Sequence, residues 1–378
     1  MKIQNSTIDS YLLSFCILAP ILPVPVAKIS VFITFVLLFS RLVFKLNTFL
    51  FLNTKLLIII LLFPSVLLTA VYSSENLIRY IFLFFLILFY PYNLNFKKKY
   101  INLLSFLIIV YLSITQILIV LGNTFLIEFR EQLYENEWGY VWDEGVLTSI
   151  NLIGVYRSGG LFYNPNVLAS LIILYFFIFV SSSKDFEQKK NFIFFLILSL
   201  AIISIILTDS RTVIVSFLGY YFLKANYKFL RHNFFFSKVS ISQIIISLIV
   251  IYALYSVKDK ILIGIQVDGS MYGKFNIFLN YIKYVGTFDF VFGGRHDIFF
   301  DTEYGYWLGA LGLVGLIGLL IFIIFIYNNV PELRLYIITF FLLSVGNSLF
   351  YGLLTGSVAT YLIIITCSLY YEKTGNIK

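Results

Sequence analysis

Three short stretches carry side chains able to do chemistry in a chain otherwise built of apolar residues. The first is "VYRSGGLFYNPNVLASLIILYFF", residues 155–177, where Arg157, Gly159, Gly160 and an Asn-Pro-Asn stand directly before a long apolar run. The second is "LTDSRTVIV", where Asp209 and Arg211 join two apolar segments with almost no loop. The third is "GGRHDIFFDTEYGYW", where Arg295, His296, Asp297, Asp301 and Glu303 precede another apolar run. Arginine keeps its charge at any physiological pH, and its planar fork of donors suits two oxygens of a phosphate or carboxylate. The free N–H groups of a helix start add to such an anion site, and Asn164 and Asn166 are of the type that caps one. A histidine exchanges protons near neutral pH, and carboxylates act as bases when their neighbours tune them. Together these groups could grip an anion and move a proton beside it.

Plainer readings stand beside these. Any one of the arginines could snorkel to lipid phosphates or pair with a carboxylate, Arg211 with Asp209 first of all. Gly159 and Gly160 could serve a turn, and a lone loop histidine is usually solvated. A fourth stretch, "EFREQLYENEWGYVWDEG", sets Trp138, Tyr140 and Trp142 among Glu135, Glu137, Asp143 and Glu144. Aromatic faces with carboxylate acceptors suit a carbohydrate, whose C–H faces stack and whose hydroxyls need acceptors. An aromatic belt at a membrane surface would look the same.

The motifs that would announce other chemistries are missing from the sequence. It has no P-loop, no dinucleotide-binding glycine fingerprint and no Gly-x-Ser-x-Gly elbow. The only other histidine besides His296 is His232, far off in the chain, so no metal-ligand spacing exists. The two cysteines, Cys16 and Cys367, both fall in apolar segments and offer no disulfide framework.

The elements that must position these groups are membrane helices. Of the 378 residues, 60% are hydrophobic, 19% aromatic and only 12% charged, which no soluble domain matches. A span needs about 20 mostly apolar residues. The sequence reads as an all-α polytopic membrane protein with about twelve such segments, at roughly 10–27, 29–46, 56–72, 77–96, 101–122, 166–183, 191–207, 212–224, 241–257, 303–327, 334–350 and 355–371. The first lacks a clear cleavage site after its apolar stretch and reads as a retained span. Residues 1–378 are expected to form one transmembrane domain.

Lysine and arginine mark the cytoplasmic loops. With both termini in the cytoplasm, the inner segments hold 17 of the 27 basic residues and 5 of the 19 acidic ones. The inner side then nets +12 and the outer side −4, which together recover the formal +8. The basic balance is thus a topology signal, and no nucleic-acid partner is needed to explain it. Two long connections, about 123–165 and 258–302, fall outside and form an external cap. Five of the eight arginines, Arg79, Arg130, Arg157, Arg211 and Arg295, also fall outside, whereas most lysines do not. External arginines at the membrane surface point to an anionic ligand that lives at that surface, such as a lipid-linked phosphate or pyrophosphate.

The order and placement of "RSGGLFYNPNVLAS", then "SRT" at the mouth of a short hairpin, then "RHD" followed by "EYGYWLGALGLVGL", resemble the bacterial O-antigen polymerase and O-antigen ligase superfamily over roughly residues 100–350. The resemblance implies a membrane-embedded glycosyltransferase of the cytoplasmic (inner) membrane, with its active site facing the periplasm. It would use no metal and no other cofactor, and its donor would be an oligosaccharide on undecaprenyl pyrophosphate. Arg157 and Arg211, with Arg295, would hold the pyrophosphate. The resemblance points to His296 as the group that assists the acceptor hydroxyl, with Asp297, Asp301 and Glu303 as the other candidate bases beside it, and Tyr163, Asn164, Asn166, Trp138 and Trp142 would meet the glycan. Asp297 stands where the ligase branch commonly has Asn, which favours the polymerase branch. A ligase acting on lipid A core, a capsule or teichuronic acid polymerase, and a non-enzymatic flippase or exporter are the other readings. Membrane lipids, a chain-length regulator and a flippase are the partners to expect.

Overall fold

The computed structural model describes residues 10–11, 14, 17–18, 52–72, 77–88, 98–137, 158–162, 165–182, 192–225, 269–295, 303–329, 334 and 337. These residues are helical apart from short turns, and no strand occurs among them. In chain order the helices are α1 (Leu52–Tyr72), α2 (Leu77–Leu88), α3 (Lys98–Val120), α4 (Thr124–Glu137), α5 (Pro165–Ser182), α6 (Phe192–Thr208), α7 (Arg211–Ala225), α8 (Gly269–Tyr284), α9 (Thr287–Phe292) and α10 (Glu303–Asn329), with a 3₁₀ turn at Gly160–Phe162. Three stretches, Leu52–Tyr72, Lys99–Val120 and Trp307–Asn329, are long and apolar enough to cross a membrane. The segments expected at 29–46, 241–257 and 355–371 lie outside the described residues, as do most of 10–27 and 334–350.

The periodicity of exposure separates lipid-facing from buried helices. On α3, Leu103, Leu107, Tyr111, Ile114 and Leu118 are exposed at spacings of three or four, the repeat of one helix face. Ile101, Ser105, Ile108, Leu112 and Gln116 are buried on the opposite face. In contrast, α5 is apolar on every side, and every residue from Leu168 to Val180 is buried. A helix with no polar stripe and no lipid-facing stripe belongs at the centre of a bundle. Around it α3, α6 and α7 pack, with Phe177 against Tyr220 at 4.6 Å and Phe176 against Phe217 at 5.5 Å between ring centres.

A second group joins α1, α2, α9 and α10. The helix expected over 303–327 is present, but it is broken at Gly312, whose backbone (φ 62, ψ −178) is open to glycine alone. Breaking a helix in an apolar bundle frees carbonyl groups that no water reaches, so each needs a donor. The donors are at hand. Arg295 N–H donates to the Gly309 carbonyl at 3.1 Å and Gly294 N–H to the Ala310 carbonyl at 2.9 Å. The Tyr80 hydroxyl also donates to Ala310, at 2.7 Å, and Ser65 Oγ donates to Leu311 at 2.5 Å. Thr69 Oγ1 in turn supports the Tyr80 oxygen at 3.3 Å. The break was unforeseen in the sequence, where 303–327 read as one uninterrupted apolar span.

The two long connections expected to lie outside are partly helical. The first contains α4 and the 3₁₀ turn, and the second contains α8 and α9. After α3 the chain turns with Gly122 at φ 80. Asn123 N–H reaches the Leu118 carbonyl at 3.0 Å and Gly122 N–H the Ile119 carbonyl at 3.0 Å, which closes the helix end. Asn123 then starts α4 by accepting the Leu126 N–H on its side-chain oxygen at 3.0 Å.

Candidate functional site

The residues following Arg157 form a buried wedge between helices. Ser158, Gly159, Gly160 and Leu161 are all buried, and Ser158 N–H donates to the Leu207 carbonyl at the end of α6 at 3.1 Å. Gln116 on α3 donates its side-chain N–H₂ to the Ser158 carbonyl at 3.0 Å and to the Ser204 carbonyl at 3.3 Å. Ser158 Oγ accepts the Gly160 N–H at 3.2 Å. Gly160 sits at φ 57, which favours glycine, and a Cβ there would crowd the Leu168 side chain at 3.1 Å and touch Gln116 at 3.5 Å. A short extended stretch and one 3₁₀ turn are thus clamped to α3, α5 and α6, and they lead through Pro165, which opens α5.

The same end of α6 carries the second arginine element. Asp209 and Ser210 are the only residues between α6 and α7, and Arg211 is the first residue of α7. The tightness of the turn forces Asp209 to φ 47, where only Asn and Asp are at all at ease besides glycine. Asp209 N–H is tied to the Ile206 carbonyl at 3.1 Å, and the Ser210 carbonyl accepts the Ile214 N–H at 2.9 Å. One carboxylate oxygen of Asp209 is buried without a hydrogen-bond partner among the described residues. Buried carboxylate oxygens without a donor are costly and mark places where another group completes the site. The Gln116 side-chain oxygen and the Ser113 and Ser204 hydroxyls are buried in the same unpartnered condition.

The third element lies in the other helix group. Gly293 (φ 77) and Gly294 (φ 88) run directly against the broken turn of α10, and the backbone of Gly293 touches that of Gly312 so closely that neither tolerates a Cβ. A Cβ on Gly294 would fall 2.6 Å from Leu68 Cβ on α1. Arg295 therefore does not hang in a loose outer loop: its backbone is fastened to Gly309 inside the bundle. Its guanidinium donates to Asp289 at 3.2 Å, and the two side chains are 35% and 17% exposed. The Arg295 side chain is thus paired but still partly exposed to its surroundings.

The remaining sequence candidates divide as follows. Asn166 lies half-buried in the first turn of α5, and Glu303 is the first residue of α10. Arg157, Tyr163, Asn164, Trp138, Trp142, His296, Asp297 and Asp301 lie outside the described residues. Sequence reading missed Gln116 as the group that locks the turn after Arg157, and Asp289 as the partner of Arg295. A lone glutamine within an apolar span is the signal that could have found the first. No cluster of His, Cys, Asp and Glu suited to a metal occurs among the described residues. Compared with protein-family models, with curated proteins and with solved structures, the chain matches none.

Proposed function

We propose that this chain is a membrane-embedded polysaccharide polymerase that joins repeat units carried on undecaprenyl pyrophosphate, at the periplasmic face of the bacterial inner membrane. In this reading the chain crosses the membrane twelve times, with both termini in the cytoplasm. The observation that carries the proposal is the Ser158 to Leu207 hydrogen bond. It ties the residue that follows Arg157 to the end of the helix that leads into Arg211, so two arginine elements 54 positions apart by number share one end of the bundle.

The chemistry asked of them is leaving-group stabilisation. The terminal hydroxyl of one lipid-linked unit attacks the anomeric carbon of the donor glycan, the bond to the pyrophosphate oxygen breaks, and undecaprenyl pyrophosphate departs with the electron pair. The hydroxyl proton passes to a base among His296, Asp297 and Glu303. Arg157 and Arg211 supply fixed positive charge where the negative charge grows, and the helix start at Arg211 adds its free N–H groups. Arg295, anchored to the broken α10 and half open, is the third cation. Tyr163, Asn164, Asn166, Trp138 and Trp142 are the glycan contacts.

The test is the lipopolysaccharide ladder of a strain deleted for this chain and complemented with wild type or Arg157→Ala. A polymerase leaves core bearing a single repeat unit, because one unit is still flipped and ligated. Bare core with polymer accumulating on the lipid carrier identifies a ligase, and bare core with repeat units trapped in the inner leaflet identifies a flippase. Either of the last two outcomes overturns the proposal.

A further inference from the structure

Helix α4 carries an exposed apolar face that continues the exposed stripe of α3. On α3 that stripe ends with Leu118; Leu121 in the connecting turn is 76% exposed, and Phe125 and Phe129 on α4 are 71% and 40% exposed. The two rings stack in parallel, 7° apart at a centroid distance of 6.4 Å. At about 100° per residue, Phe125 and Phe129 lie within about 40° of one another around the helix. The exposed Glu128 and Glu131 fall about 60° and 120° to the other side of Phe125 on the same wheel. Leu126, Ile127 and Arg130 are half-buried and take the side toward the protein.

We propose that α4 lies in the outer-leaflet interface, with Phe125 and Phe129 among the lipid acyl chains and Glu128 and Glu131 in water. Three observations select the bilayer as occupant. The stripe is continuous with that of α3, a helix long and apolar enough to span. The closing turn at Gly122 and the Asn123 cap stop α3 and start α4 within three residues, so the face is set by a defined turn and not by a loose linker. The bare aromatic surface amounts to about 200 Å², far below the roughly 800 Å² per partner of a stable protein interface, whereas amphipathic helices bind bilayers with faces of this kind. Because α4 also packs against the Gly160–Phe162 turn, the anchor fixes the depth of that turn relative to the lipid headgroups. The inference rests on the chain being a membrane protein, and its choice of the outer leaflet on the proposed topology; it stands apart from the catalytic reading.

The test uses the full chain in proteoliposomes with Cys16→Ser and Cys367→Ser, and single spin labels introduced by Phe125→Cys, Phe129→Cys, Glu128→Cys or Glu131→Cys. Labels at 125 and 129 are expected to collide with oxygen in preference to a water-soluble nickel chelate, and labels at 128 and 131 to show the reverse. Equal access of the chelate to all four positions overturns the proposal, and so does shielding of 125 and 129 from both reagents, which would mean a second copy or another protein covers them. The unmodified chain provides an independent check: a lipid carrying a photoreactive diazirine on its acyl chain should form adducts on the 124–132 peptide, and their absence also overturns the proposal.

Discussion

Gly293 and Gly312 lie backbone to backbone, each with positive φ, one in the stretch that leads to Arg295 and the other at the break in α10. Neither position has room for a methyl group, and Gly312 sits in a region of backbone space that other residues reach only at about 1–3 kcal/mol. Gly312→Ala is therefore expected to lower the thermal midpoint in detergent by several degrees and to reduce abundance in the membrane. Gly286→Ala, with nothing within 4 Å and no positive φ, should move it much less. Equal midpoints for the two variants would contradict the close packing.

Arg295 and Asp289 separate a structural from a ligand role. The pair is partly exposed, and ion pairs of that kind contribute about 0–1 kcal/mol. Asp289→Asn should leave the thermal midpoint within a degree or two. Arg295→Ala should do the same while sharply shortening the polymer. A large drop in stability with Arg295→Ala would show that the side chain holds the fold and not the substrate.

Gln116→Leu removes the donor that holds the Ser158 carbonyl and leaves that buried acceptor unpaired, at a cost of about 1–3 kcal/mol. The expected result is a lower thermal midpoint together with shorter chains on the gel, since the turn after Arg157 would loosen. Unchanged stability and chain length in this variant would mean that the clamp is dispensable.

The sequence made the helices legible because the solvent is a bilayer. Apolar runs of about 20 residues have few alternatives there. The expected segments 56–72, 101–122, 166–183, 191–207 and 212–224 correspond to helices with ends within a few residues. The placement of "RSGG" beside the mouth of the "SRT" hairpin was readable only as topology, both being expected on the same outer side. That the two elements touch through Ser158 and Leu207 depends on a backbone hydrogen bond, which no side-chain pattern encodes. The break at Gly312 was hidden for a different reason. Gly309, Gly312, Gly315 and Gly318 recur at every third position, and such a row reads equally well as a close-packing face. Gly315 and Gly318 do lie against Ser65 and Leu61 of α1. Only the donors brought by Gly294, Arg295, Tyr80 and Ser65 make the interruption affordable at Gly312, and these come from distant parts of the chain.

The assignment of Arg157 and Arg211 to one pyrophosphate makes a stronger demand than loss of activity in either variant. Removing one preorganised donor to a developing oxyanion costs about 10²–10³ in rate, so Arg157→Ala and Arg211→Ala should each fall in that range with purified enzyme and a lipid-linked repeat unit. Groups that act together on one charge are far from additive when removed together. If both arginines hold the same leaving group, the double variant should be much less impaired than the product of the two single effects. Arg→Lys at either position keeps the charge but loses the two-pronged donor geometry, so it should recover part of the rate and not all of it. Thermal midpoints close to wild type in all these variants would tie the losses to chemistry. Strictly multiplicative losses would instead assign the two arginines to separate tasks, one of them outside the pyrophosphate.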